Sequence, residues 1–158
     1  MRKNFKKAVV ASALLATLST QASATDSQVG VAASFNQNTS EIRGIVGLND
    51  DLRLEPFIAF AYISPDEGDS FTNYTIGSTL EYTKELHTNI DGYVGGFGAI
   101  SHFDAGDGNT NFFFGPLAGV EYEFTPNFTL GGEIRFEIGV GDLTTLSTNS
   151  SILLRYYF

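Results

Sequence analysis

Cysteine is absent from the 158 residues of this chain, which excludes a disulfide framework and any metal site built on thiolates. Long apolar runs are missing as well. After residue 24, no stretch has the roughly 18 consecutive apolar residues that a membrane-spanning helix requires. If the protein enters a bilayer, it must therefore do so as β-strands, and its stability must come from backbone pairing and packing.

Positively charged residues are also few. Four of the nine Lys and Arg residues fall within the first seven positions, so residues 25–158 carry five cations against 18 Asp and Glu and a net charge of −13. Such an acidic chain is not expected to bind nucleic acid, whose phosphates must be neutralised by Lys and Arg. It is equally unsuited to clamping lipopolysaccharide phosphates with a basic patch. The simplest interpretation is a solvated acidic surface.

The first 24 residues have the pattern of a secretory signal. Basic residues at positions 2–7 precede an apolar stretch over residues 8–18, and Ala22-Ser23-Ala24 is a small-residue sequence that signal peptidase accepts. We expect cleavage after Ala24. Residues 25–158 then form one domain, because they are too few for two.

From Gln28 onward, apolar and polar residues alternate with a period of two, interrupted by clusters of Gly, Pro, Asn and Asp. Eight strands are predicted, near residues 28–36, 40–48, 52–63, 71–83, 87–101, 112–124, 128–140 and 146–158. Tight turns are predicted at residues 49–51, 84–86 and 125–127, and longer connections at 64–70 and 102–111. This pattern predicts an all-β fold, an eight-stranded antiparallel up-and-down transmembrane β-barrel.

Alternation alone does not say which face lies inside, since a soluble barrel would bury the apolar set. Three features favour the membrane arrangement. Tyr and Phe gather near the strand ends, the charged face holds near-matched Arg and Glu, and the chain stops on an aromatic strand. The fifth predicted strand is the least regular, because residues 91–98 do not place their apolar side chains on one side. A glycine bulge or a crowded interior would each explain it.

The charged face predicts an interior charge network. Folding the hairpins about their turns brings Arg53 close to Glu81, and Glu121 near Gly131, with Glu133 and Arg155 beside them. Paired charges suit a narrow interior, where an unpaired buried charge is costly. The alternative is a gate or proton path made from the surplus carboxylates. The predicted network comprises Arg43, Arg53, Glu55, Glu81, Glu121, Glu133, Arg135, Glu137 and Arg155.

No catalytic, cofactor or metal site is predicted. Ser101 and His102 are adjacent on a strand and so point to opposite sides of the sheet, while His87 lies near the opposite membrane face. A Ser-His-acid triad is therefore not expected. The segment 104–111 has oxygen donors and glycines but lacks the spacing and the closing Glu of an EF-hand loop. A flexible acidic loop is the simpler interpretation, with weak Ca²⁺ or Mg²⁺ binding as the alternative.

The last strand carries the most motif-like feature. Ile152, Leu154, Tyr156 and Phe158 share one face and end on an aromatic residue. This pattern resembles the assembly signal of small outer-membrane β-barrel proteins of Gram-negative bacteria, the class of OmpX, Ail and the OmpA transmembrane domain. The resemblance, which covers residues 28–158, implies recognition by the outer-membrane assembly machinery. It also implies termini in the periplasm, four loops outside and surroundings of outer-membrane lipid and lipopolysaccharide.

The expected function is accordingly a structural or cell-surface interaction role, without catalysis, for a monomeric barrel in the outer membrane. Short, acidic loops do not favour adhesion to matrix or heparin-like polymers. A narrow gated channel for small solutes or ions is the first alternative, although an eight-stranded barrel is just wide enough for its own side chains. A lipid A-modifying enzyme is the second.

Overall fold

A computed structural model describes residues 28–36, 39–63, 71–103, 109–141 and 144–158. The predicted signal peptide lies outside these ranges, as do the connections 64–70 and 104–108. The strands are β1 (Val29–Phe35), β2 (Ser40–Gly47), β3 (Leu52–Ile63), β4 (Phe71–His87), β5 (Ile90–Phe103), β6 (Asn109–Thr125), β7 (Phe128–Val140) and β8 (Thr145–Tyr157).

The eight strands form one closed barrel in which every strand pairs antiparallel with its sequence neighbours. Closure comes from β1 and β8, which pair from Gly30↔Tyr157 to Phe35↔Ile152. Closing the sheet satisfies the backbone groups that two free edges would otherwise expose. The predicted up-and-down β-barrel is confirmed.

The predicted strand bounds agree with the structure to within a few residues, apart from one turn. The turn expected at residues 84–86 is wrong, because β4 continues to His87 and the chain reverses at Thr88 and Asn89. Asn89 has φ 62°, a left-handed conformation that Asn tolerates better than most residues. A register shift between Glu85 and His87 accommodates the extra residues.

The barrel is apolar outside and charged inside. Large hydrophobic side chains such as Ile76, Val120 and Phe136 are exposed around the wall, whereas arginines and glutamates are buried within it. An apolar surface of this extent would cause aggregation in water, but it is stable in contact with the hydrocarbon chains of lipids. This arrangement is that of a transmembrane barrel and not of a soluble one. In the described ranges, no helix is long and apolar enough to cross a membrane.

The irregular fifth strand is explained by a crowded interior. Between residues 92 and 98, β5 pairs without interruption with both neighbours, so no bulge interrupts it. Its inward side chains include two aromatic rings, Tyr93 and Phe97. Four inward aromatic residues each face a glycine on the next strand, which gives the ring room. The pairs are Phe57↔Gly77, Tyr93↔Gly119, Phe97↔Gly115 and Phe113↔Gly139.

The wall is uneven in height. β1 and β2 have 7 and 8 residues, whereas the other strands have 12 to 17. Within the described ranges, residues 145–151 of β8 pair with β7 but with no residue of β1. We call the end that carries residues 48–51, 88–89 and 126–127 the turn end, and the opposite end the loop end. The β1–β2 hairpin therefore makes the wall lower at the loop end.

Candidate functional site: a charged plug between two cavities

Four arginines and five glutamates meet at mid-height and fill the lumen. They come from β2, β3, β4, β6, β7 and β8, always from odd-numbered positions, because alternate residues of these strands point inward. We call this set the plug. Its members are Arg43, Arg53, Arg135, Arg155, Glu41, Glu55, Glu81, Glu121 and Glu133.

Arg43 lies at the centre of the plug and has no solvent exposure. Its guanidinium donates from Nη2 to Oε1 of Glu133 at 2.9 Å and from Nη1 to Oε2 of Glu55 at 3.2 Å. It also lies 2.9 Å from Glu41. One planar fork therefore joins carboxylates from β2, β3 and β7 across the lumen, which a single ammonium group is less suited to do.

Arg155 is the second fully buried cation. Its Nε donates to Glu55 at 2.9 Å, its Nη1 to Glu121 at 2.8 Å, and its Nη2 to Glu81 at 3.4 Å. The hairpin geometry predicts that Glu121 and Glu133 lie beside Arg155. Glu121 is indeed a partner, but Glu133 is held by Arg43 instead, because Glu133 lies further toward the loop end.

Arg53 and Arg135 close the two ends of the plug. Arg53 donates to Glu81 at 2.8 Å and to Glu121 at 2.6 Å. Arg135 donates to Glu41 at 2.9 Å and to Glu133 at 2.8 Å. Each is almost buried, so all four arginines of residues 25–158 lie inside the barrel. Lys84 is then the one Lys or Arg in residues 25–158 that is exposed.

Neutral side chains complete the plug. The Tyr93 ring lies 4.8 Å from Cζ of Arg53 and 4.9 Å from Cζ of Arg155, within the range of cation–π attraction. Its hydroxyl donates to Glu133 at 3.3 Å. Thr79 donates to Glu81 at 2.9 Å. These hydroxyl donors supplement the arginines, since the plug has one carboxylate more than it has guanidinium groups.

The structure brings together most of the predicted network. Arg53 pairs in register with Glu81, and Glu121 with Gly131, as the hairpin geometry predicts. Glu41 was missed, although it lies two residues from Arg43 on the same face and this spacing was a usable signal. Glu137 is on the inner face but outside the plug, because Arg135 turns toward Glu41 and Glu133.

A cavity of about 270 Å³ opens on the turn end of the plug. Arg53 and Glu121 form its floor, and Asp91, Glu123 and Lys84 lie around it. Its lining is charged, and the cavity opens toward the tight turns. This cavity is one of the two spaces that the plug separates.

A second cavity, of about 220 Å³, lies on the loop end of the plug. Arg135 and Glu41 form its floor, and Glu137 lies on its side. The rest of its lining consists of two alanines, three Phe rings, and amide and hydroxyl side chains: Ala59, Ala99, Phe57, Phe97, Phe113, Asn36, Asn73, Asn149, Thr39, Thr75, Ser101 and Ser151. This loop-end cavity differs from the other in having mostly neutral polar walls.

The serine and histidine residues that were considered for a catalytic triad, Ser101, His102 and His87, do not lie together. Ser101 points inward and accepts a hydrogen bond from Thr75 at 3.0 Å. His102 points outward, exposed, 3.3 Å from the hydroxyl of Thr110. His87 ends β4 at the opposite end of the barrel. In the described part of the chain, no three His, Cys, Asp or Glu residues are grouped to hold a metal ion.

The four residues of the proposed assembly signal lie on the outer face of β8. Ile152, Leu154, Tyr156 and Phe158 are all exposed there. The Phe158 ring packs edge-on against Tyr156 at 5.6 Å, and its backbone N–H donates to the carbonyl of Val29 at 2.9 Å. The C-terminal residue is thus held at the seam where the barrel closes.

The barrel is similar in fold to several solved structures. The structure superposes on Neisserial surface protein A (NspA) with a TM-score of 0.63 at 20% identity, covering 84% of this chain and 94% of that one. The fold is that of small eight-stranded outer-membrane barrels. Yersinia pestis Ail in a nanodisc matches with a TM-score of 0.57 at 12% identity, covering 84% and 100%. The N-terminal barrel domain of Pseudomonas aeruginosa OprF matches with 0.56 at 14%, covering 84% and 96%.

No family model and no curated protein sequence matches the chain. The likeness therefore concerns the fold.

Proposed function

We propose that this protein is an integral outer-membrane barrel with a structural or cell-surface interaction role and no catalytic activity. The observation that carries the proposal is the plug. Arg43, Arg155, Glu55 and Glu81 fill the lumen at mid-height with no solvent exposure. A lumen closed in this way serves stability, because its charges are paired within hydrogen-bonding distance, and it leaves the outer wall and the loops as the interacting surfaces.

The outer wall supports the membrane location. Aromatic side chains form a group at each end of the apolar band, as expected for interfacial girdles. At the loop end, Phe60 packs edge-on against Tyr74 at 5.5 Å. At the turn end, Tyr122 packs edge-on against Phe124 at 4.9 Å. Lipid and lipopolysaccharide acyl chains are the natural partners of the band between them, and a closed barrel needs no second copy to complete its sheet.

Cell fractionation combined with heat-modifiable gel migration tests the location. A folded barrel should be found in the outer-membrane fraction and should migrate differently before and after boiling. Recovery in a soluble fraction would contradict the proposal.

A tag inserted at residues 106–109 should be labelled on intact cells, whereas one near Pro126 should not, if the termini face the periplasm.

Phe158 tests the proposed recognition by the assembly machinery. Its side chain is 73% exposed and packs edge-on against Tyr156, so it buries little surface in the folded barrel. Deletion of Phe158 should therefore reduce the amount of folded protein in the outer membrane more than it reduces refolding of purified protein in detergent. Leu146, 79% exposed on the same strand, offers a matched control as Leu146→Ala. Equal outer-membrane levels of the deletion variant and the parent would contradict this role.

A narrow channel is the second candidate, because the plug has a cavity on each side. Planar bilayer recordings distinguish the two functions. We expect the parent protein to show no defined conductance steps, and Arg43→Met to be the variant most able to open the lumen. Defined steps from the parent would favour the channel. For the enzymatic alternative, the lipid A mass spectrum should not change on expression.

A further inference from the structure

The loop-end cavity has the features of a binding site for a cationic ligand. It is closed below by Arg135 and Glu41 and has a volume of about 220 Å³, the space of roughly seven water molecules. We infer that this cavity binds a small organic cation, an amine or quaternary ammonium compound of about the size of choline. This inference goes beyond the structural role proposed above and rests on the geometry of the cavity.

The charge around the cavity is negative. Glu137 is half-buried on its side, where its carboxylate accepts hydrogen bonds from Ser147 Oγ, at 3.5 Å, and from the side chain of Asn149. Among the described residues, no ion pair joins Glu137 to a cation. The guanidinium of Arg135, the nearest candidate on the same strand, is committed to Glu41 and Glu133. In the described part of the chain, Glu137 is thus a carboxylate with neutral hydrogen-bond partners and no ion pair, and its charge faces the cavity.

The sequence adds to this negative charge. The segments that connect the strands at this end, 36–39, 64–70, 104–108 and 141–144, contain six acidic residues and no Lys or Arg. Their combined field attracts cations to the loop end and repels anions. Anionic ligands such as free phosphate are therefore disfavoured.

The cavity also offers an aromatic face. The Arg135 guanidinium lies 5.1 Å from the rings of both Phe57 and Phe97 and so occupies those two rings. Phe113 is the third ring of the wall, and it lies against Gly139, two residues from Glu137 on the same face. A cation between this ring and the Glu137 carboxylate would gain both cation–π and ionic attraction.

Neutral groups complete the wall. Asn73, Thr75 and Ser101 are linked by hydrogen bonds, and Asn149 and Ser151 line the adjoining side. They suit a ligand with a hydroxyl group. The low β1–β2 hairpin, whose Asn36 and Thr39 line the cavity, forms the lowest part of the surrounding wall.

Titration of the isotope-labelled barrel in maltoside micelles with choline tests the inference, with amide NMR shifts as the readout. The control ligand is 3,3-dimethyl-1-butanol, which has the same shape without the charge. We expect saturable shifts at Phe113, Glu137 and Asn149 with choline and none with the alcohol. Equal responses to the two ligands, or no response to either, would overturn the inference.

Two variants locate the site. Glu137→Gln should weaken choline binding at least tenfold, and Phe113→Leu at least threefold. Glu123→Gln, which neutralises a carboxylate of the turn-end cavity, should leave binding unchanged. Heat-modifiable migration confirms that each variant is folded. Equal affinities for the parent and Glu137→Gln, or an equal loss with Glu123→Gln, would overturn the proposed site.

Discussion

Glu133 and Glu137 stand four residues apart on the inner face of the same strand, and their surroundings differ completely. Glu133 is buried, bonded to Arg43 at 2.9 Å and to Arg135 at 2.8 Å, and accepts a hydrogen bond from Tyr93. Glu137 is half-buried and accepts hydrogen bonds from neutral groups, the hydroxyl of Ser147 and the side-chain amide of Asn149. The same residue type therefore serves as structure in the plug and remains available to solvent or ligand in the cavity.

The role of an inward charge therefore depends on its height along the barrel. At mid-height, side chains from opposite walls meet, so each charge must find a partner there. Toward the loop end the wall is lower and the lumen widens into a cavity, where water can solvate an unpaired carboxylate. Removing a charge from the plug should therefore lower the free energy of unfolding more than removing one from the loop-end cavity.

The largest effect is expected from Arg43→Met. Removing this guanidinium leaves Glu41, Glu55 and Glu133 short of a buried partner, which should lower the free energy of unfolding by about 3–5 kcal/mol. Lys84→Met, which removes the exposed cation, should change it by less than about 0.5 kcal/mol. Urea unfolding in detergent measures both, and a similar loss for the two variants would mean that the plug is not a buried network.

Arg155→Met should show a comparable loss that depends on pH. Without Arg155, Glu55, Glu81 and Glu121 repel one another when ionised, and protonation removes that repulsion in the folded state. Stability of the variant is therefore recovered as the pH falls and lost as it rises. Urea titrations near pH 4.5 and 7.5 should give the smaller difference from the parent at the lower pH. Equal differences would place Arg155 in contact with water.

Glutamine substitutions on β7 test the comparison directly. Glu133→Gln removes the charge that Arg43 and Arg135 share, and should cost about 1.5–3 kcal/mol, the range for hydrogen bonds to charged groups. Glu137→Gln should change stability by less than about 0.5 kcal/mol. The two variants have the same chemical change on the same strand face. A greater loss for Glu137→Gln would reverse the roles assigned to plug and cavity.

A pair of glycine substitutions gives the smallest effect. A Cβ at Gly119 would collide with the Tyr93 ring beneath Arg53 and Arg155, so Gly119→Ala should destabilise by about 1–3 kcal/mol. A Cβ at Gly132 meets no atom within 4 Å, so Gly132→Ala should be neutral or stabilise by up to about 1 kcal/mol. Thermal unfolding of both proteins measures this, and a loss with Gly132→Ala alone would contradict the proposed ring packing.

Local features of the barrel were predictable. Alternation marks each strand, and centring a hairpin on its connection predicts its register. Centring on residues 64–70 places Arg53 opposite Glu81, and centring on the turn at Pro126 places Glu121 opposite Gly131. The turn at residues 84–86 was misplaced because a strand can continue through polar residues once it has left the membrane. Asn89, the residue with left-handed φ, was the better signal.

Local sequence is enough to predict the strands, their order, their antiparallel pairing and the separation of apolar from charged faces, because these depend on neighbours along the chain and on the period of two. Which charges meet depends on the closed barrel. Arg43 and Glu133 are 90 residues apart and belong to strands that do not pair, yet they bond across the lumen. Barrel diameter, strand tilt and side-chain rotamers set such contacts, and none of these is written in local alternation.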